Sequence, residues 1–171
     1  IQNWIWKKGS TIETATYVPP TVTDMTIFLD NFEKYIHLDD KDFLVQISII
    51  HAQFELIHPF LDWNWRIWRV LIPLFLNFKW LIASPSFYIS EYLEENRDLY
   101  LEKLNNISKN WDWDWWIEFF LIAIIEQSKS NITKVNIIIK KYNDTKELIQ
   151  ETLHSQFFMQ VVDFLFTKPI F

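Results

Sequence analysis

The sequence predicts an all-α helical bundle with one short β-hairpin flap near its start, and three observations carry that expectation. Apolar residues recur every three or four positions through most of the chain after residue 22, the pattern of helices that bury one face. Period-two alternation is confined to Thr14, Thr16 and Val18 against Ala15 and Tyr17, which suits an exposed hairpin or extended flap. The 171 residues allow one ordinary domain plus an extension, with a core of its own.

Pro19-Pro20 ends the flap. Thr23 or Asp24 is expected to cap a helix to about His37, with Met25, Phe28, Leu29, Phe32 and Ile36 at helical spacing. Asp39, Asp40 and Asp42 form a polar turn and favour the next helix N-terminus. That helix, Phe43 to Ile57, stops near His58 because Pro59 disfavours helical dihedrals in the residue before it. A further helix spans Arg66 to Lys79, bent at Pro73. Ser84-Pro85-Ser86 breaks the chain before a helix from about Tyr88 to Asn105. The aromatic segment Trp111 to Phe120 leads into a helix reaching about Lys129. Residues 131 to 151 are more polar and predict a helix followed by a loop, and Leu153 to Phe166 predicts a short buried helix before Lys168-Pro169. No internal repeat stands out.

Composition narrows the function. The formal net charge is -6, against wrapping a nucleic-acid backbone. Cysteine is absent, which excludes disulfides, thiolate nucleophiles and cysteine-ligated zinc and fits a reducing, cytoplasmic setting. The longest apolar runs, Val70 to Leu76 and Phe119 to Ile125, fall far short of the roughly 20 residues that cross a bilayer, so no membrane partner is expected. The opening IQNWIW starts at Ile1 without a basic leader; it suggests an excerpt of a longer chain with no signal peptide in view. A hydrophobic fraction of 50% leaves room for a homodimer surface.

The densest polar constellation is His58-Pro59-Phe60-Leu61-Asp62-Trp63-Asn64-Trp65-Arg66-Ile67-Trp68-Arg69, running out of one helix and into the next. A tight loop before a helix N-terminus can hold phosphate through unpaired backbone N–H groups. Arg66 and Arg69 are spaced to neutralise a polyphosphate. His58 has the pKa class to accept a proton from a hydroxyl near neutral pH, and Asp62 can hold magnesium. The same residues also fit a histidine ending a helix beside a surface loop with two solvated arginines. His51 is a structural helix residue on this reading, since no third ligand stands at metal-site spacing.

The run HPFLDWNWRIWR resembles the signature of the Fic family, HPFxDGNGRxGR, with tryptophan at its three glycine places. QNWIW resembles the family's QNWIGG, and ATYVPP resembles the segment ending its flap. HAQFELIHPF, YLEENRDLY and DWDWWIEFF are similar to further Fic segments, so the resemblance covers about residues 2 to 130. It implies a Fic-like catalytic domain over 1–130, followed by a helical linker and the beginning of a C-terminal region over 131–171. The implied activity is AMP transfer from ATP, with Mg2+, to a Ser, Thr or Tyr hydroxyl of a protein docked on the 14–18 flap. His58 is then the general base and Asp62 the magnesium ligand. Asn64 and Arg66 position phosphates, Arg69 grips the outer phosphates or holds the loop, and Phe60 anchors it. The backbone at Trp63 and Trp65 supplies the anion nest, and Tyr92, Asn96 and Tyr100 line the nucleotide pocket. For those last three residues an amphipathic helix with partly buried tyrosines is an equal alternative.

Two other functional readings stay open. One is a relative with another phosphoryl reaction or one that removes AMP; the other is a non-catalytic interaction or regulatory protein. The segment Thr145 to Phe171 resembles the lead-in to a winged helix, which implies DNA contact only through a continuation of it. Glu13 falls in the flap region rather than in an inhibitory helix.

The tryptophans concentrate on glycine places of the resemblance: Trp6, Trp63, Trp65, Trp68, Trp80, Trp111 and Trp115. Trp4, Trp113 and Trp116 sit where the family itself often has tryptophan. With 10 Trp against 1 Gly, the expectation is a UGA codon that the source reads as glycine and that is rendered here as tryptophan. Indoles at 63, 65 or 68 would otherwise block the phosphate nest.

Overall fold

The computed structural model describes residues 17–152 and 158–167. The described residues form α1 (Val22–His37), α2 (Phe43–Ile57), α3 (Asn64–Phe78), α4 (Ser90–Glu95), α5 (Arg97–Asn110), α6 (Trp113–Thr152) and α7 (Phe158–Thr167). The all-helical expectation holds, but the β-hairpin flap is corrected: no strand occurs among the described residues. Tyr17 and Val18, the two described residues of the expected flap, lead directly into Pro19-Pro20. Thr14, Ala15 and Thr16, with Glu13 and Trp6, lie outside the described residues, as do 153–157 at the start of the expected last helix.

The chain divides into two compact units, Ile1–Gln127 and Ser128–Phe171. In the first, α2 is the hub and packs on both α1 and α3. Its Ile47, Ile50, Ala52, Phe54 and Ile57 meet Trp68, Ile72 and Phe75 of α3 and Trp116, Phe119 and Phe120 of α6 in one core. Several polar groups in and around this buried helix are paired internally. Gln46 Nε2 donates to the carbonyls of Tyr35 and Leu38 at 2.8 and 2.9 Å, Ser48 Oγ donates to Val45 O, and the Trp116 indole N–H donates to Ser48 O at 2.8 Å.

Helix ends follow local chemistry. Thr21, not Thr23 or Asp24, caps α1: its Oγ1 accepts from the Asp24 N–H while its hydroxyl donates to the Asp24 carboxylate, a reciprocal arrangement that outcompetes a later start. Asp42 caps α2 by accepting from the N–H groups of Leu44 and Val45. The helix expected from Tyr88 to Asn105 is two, because Asn96 turns its side-chain amide back onto Tyr92 O at 2.9 Å and leaves helical geometry. α6 runs on to Thr152 instead of ending near Lys129, since no proline or glycine interrupts 113–152. α3 continues through Pro73.

In the second unit the Tyr142 hydroxyl donates to Asp163 at 2.6 Å and its ring meets Phe166 edge-on, while Val162 of α7 is fully buried. Among the described residues no helix is long and apolar enough to cross a membrane.

Candidate functional site

The loop from His58 to Trp63 joins the C-terminus of α2 to the N-terminus of α3. His58 closes α2 in the left-handed region, φ 47°, with its N–H donating to Phe54 O at 3.0 Å. That turn carries the chain away before Pro59 can clash with the helix. Burial pushes the His58 imidazole below its ordinary pKa, and the Glu55 carbonyl offsets part of that shift. A neutral ring at neutral pH is the form that accepts a proton.

Asn64 holds the loop together. Its Oδ1 accepts from Phe60 N at 3.0 Å, and its Nδ2 donates to Phe60 O at 2.5 Å. The side chain is 2% exposed, so its amide is committed to the loop backbone rather than turned out toward a phosphate. Phe60 itself is 47% exposed, with its ring 6.4 Å from that of Phe54; the hydrogen-bonded clasp of the loop is Asn64. Asp62 Oδ1 accepts from the Trp63 N–H at 2.7 Å. Trp63, the N-cap of α3, makes no side-chain capping bond, and the first-turn N–H groups of a helix are where an anion binds.

The two arginines on the first turns of α3 are covered by indoles. Arg66 lies 4.0 Å over the Trp63 ring, and Arg69 lies 4.4 Å over Trp65. Trp68 is buried and meets His51 edge-on at 4.5 Å. Among the described residues the non-glycine positions with positive φ are His58, Trp63 (78°), Trp80 (60°) and Trp111 (57°). Left-handed geometry disfavours any residue with a Cβ, and a bulky aromatic there is an outlier. Three of these four are tryptophans at places where the resemblance expects glycine.

Two cavities meet at His58. The larger, about 600 Å³, is lined by His58, Trp65, Trp68 and Arg69 together with Glu55 of α2 and Tyr100 and Asn105 of α5. The smaller, about 270 Å³, is mainly apolar, with Pro20, Met25, Ile57, Phe60 and Leu61 in its wall. Of the three residues expected in a nucleotide pocket, the structure places Tyr100 in the larger cavity. Tyr92 and Asn96 are not in its lining; the Tyr92 N–H is bound by Gln127 Oε1 and its ring lies near Phe119.

Behind Tyr100 sits His51, whose Nε2 is 3.1 Å from the tyrosine hydroxyl. His51 is fully buried and its pKa falls to about 3 by desolvation, so it is a neutral structural partner. Burial and the nearby Glu55 charge push Tyr100 well above the phenol range. Glu55, missed in the sequence, is itself pushed up to about 7 by burial. The signal was available: a carboxylate inside the apolar run Gln53-Phe54-Glu55-Leu56-Ile57, one helical turn before His58. Asn105 and Arg97 had no comparable local mark. Among the described residues no group of three or more histidine, cysteine or acidic side chains forms a metal cluster.

This loop, with a histidine closing one helix, an asparagine clasp and two arginines opening the next, falls within a recognised family region. Residues 4–76 match the Fic/DOC family. The match takes in α1, α2, the loop and most of α3, less than half the chain. The cavity wall contributed by α4 and α5 lies beyond the matched region. A Fic/DOC-type enzymatic or regulatory role is therefore supported for the region that carries His58.

Proposed function

We propose that the chain is a protein AMP transferase that takes ATP in the larger cavity and a hydroxyl-bearing protein side chain beside His58. The observation that carries this reading is that His58 lines two cavities at once, one furnished with Arg69 and the other mainly apolar. On this reading His58 accepts the proton of a Ser, Thr or Tyr hydroxyl as its oxygen attacks the α-phosphorus of ATP. A new oxygen–phosphorus bond forms, the α,β bridge bond breaks, and pyrophosphate leaves with the electron pair. Arg66 and Arg69 neutralise charge on the outer phosphates, and the first-turn N–H groups of α3 receive phosphate oxygens. Asn64 acts through the loop it clasps.

Magnesium fits this donor set, since Asp62 is an exposed single carboxylate and magnesium is commonly held by one or two carboxylates plus substrate phosphates. Asp62 would hold the ion, which would neutralise phosphate charge.

The indoles favour a second reading for the sequence as written. With Arg66 and Arg69 each stacked under a tryptophan, the phosphate groups must displace those rings, and an occluded, non-catalytic Fic-like binder results. Glycine at 63, 65 and 68 removes the obstruction and gives the left-handed start of α3 its natural residue.

The test is labelling by ATP carrying its label on the α-phosphate, in a mixture of candidate target proteins. A chain with Trp63→Gly, Trp65→Gly and Trp68→Gly is expected to transfer label and one AMP of mass. The sequence as written transfers little, and adding His58→Ala to the glycine variant abolishes transfer. Label carried only by γ-labelled ATP, or none from the folded glycine variant, rejects AMP transfer.

A further inference from the structure

The lining of the larger cavity includes polar atoms that phosphate transfer does not use. Glu55 on α2 is 9% exposed, and its Oε1 has no hydrogen-bond partner among the described residues. Asn105 on α5 presents a buried Oδ1 in the same condition. Both line the cavity with Arg69, whose buried Nε is also unpartnered. Neither Arg69 nor Arg97 forms an ion pair with Glu55 among the described residues, although all three border one space. Buried polar groups are almost always satisfied, so unmet ones call for an explanation.

The surroundings select the ligand chemistry. Two acceptors require donors, and the ring of Tyr100 with the side chains of Leu93 and Leu104 in the same lining suits a flat ring. Arg69 requires an acceptor or anion at the loop end of the same molecule. A phosphate near Glu55 would repel it, so the anionic end belongs at the loop and the N–H-bearing edge at the helix wall.

We propose that Glu55 and Asn105 form a base-reading wall that accepts hydrogen bonds from the exocyclic amino group of an aminopurine, and so select which nucleotide enters. The assignment rests on the nucleotide reading above. It extends that reading to two residues that lie outside the signature loop, one of them beyond the matched family region.

The test compares binding of ATP and inosine triphosphate, which has a carbonyl in place of the amine, to the full chain by calorimetry. The Trp63→Gly, Trp65→Gly, Trp68→Gly chain is measured in parallel. ATP is expected to bind at least about tenfold more tightly, because a lone acceptor facing another acceptor is rejected strongly. Glu55→Met should reduce that preference to less than about threefold, Glu55→Gln should reduce it too because its amide can turn the NH2 onto the inosine carbonyl, and Asn105→Leu should fall between. Asn105→Leu decides the matter if Glu55→Met does not fold. Equal binding of the two triphosphates, or a preference unchanged in the folded variants, overturns the wall and leaves AMP transfer standing. Binding of neither triphosphate to either parent chain overturns both.

Discussion

Backbone geometry and side-chain identity disagree at Trp80 and Trp111. Both residues hold left-handed dihedrals and are 92% and 81% exposed, so the indoles return little packing for the conformation they occupy. Left-handed geometry costs about 1–2 kcal/mol in any residue with a Cβ. Trp80→Gly and Trp111→Gly are therefore each expected to stabilise the protein by about 1 kcal/mol, a rise in Tm of roughly 2–4 °C for a chain of this size, measured by thermal melts. A fall in Tm would show that the indoles contribute more than their exposure implies. Peptide masses of the natural protein at 63, 80 and 111 decide between glycine and tryptophan directly.

Two buried titratable residues shape the pH dependence in opposite directions. Glu55 is raised from 4.5 to about 7, so the folded chain binds more protons than the unfolded one in that interval, and stability is lost as pH rises through it. His51 is lowered from 6.5 to about 3, so its contribution is present above 6.5 and is lost as pH falls toward 3. Glu55→Gln should remove the alkaline-side loss alone. Its gain over the parent is on the order of 3 kcal/mol at pH 8 and vanishes near pH 4.5, as denaturant midpoints at the two values would reveal. An equal gain at both would mean that Glu55 does not titrate as its burial demands.

At the scale of elements, the functional loop depends on one side chain more than on its flanking helices. α2 and α3 would form from their own apolar spacing, whereas the path between them is held by the paired Asn64–Phe60 bonds. Asn64→Ala should destabilise by about 1–3 kcal/mol, the loss on leaving buried partners unmet. It should also raise KM for ATP while His58 remains in place, which separates loop shape from base chemistry. The lengths of α4, α5 and α6 were the least legible elements. A single asparagine side chain divided one expected helix, and the absence of any breaker extended another to 40 residues.

For the molecule as a whole, the buried residues of the main core among the described residues lie between Phe32 and Ala123, within the first compact unit. A chain ending after Lys129 is therefore expected to melt cooperatively and to retain the His58 cavities, with nucleotide affinity within about threefold of the full chain. Loss of a cooperative transition would place part of the folding free energy in 130–171.

What the sequence determined by itself was whatever depends on neighbours along the chain: helical class from apolar periodicity, the halt of α2 before Pro59, and the concentration of His58, Asp62, Arg66 and Arg69 in one loop. The β-hairpin failed as an expectation because alternation over five residues is too short a signal to specify a strand, and none occurs among the described residues. Only tertiary structure could bring Glu55, Tyr100 and Asn105 from two helices to one cavity and turn Asn64 inward to clasp the loop. Likewise, tertiary structure alone could set three tryptophans in left-handed geometry. Those outcomes depend on which faces pack and which backbone path closes, and such long-range constraints leave no periodic mark in the order of residues.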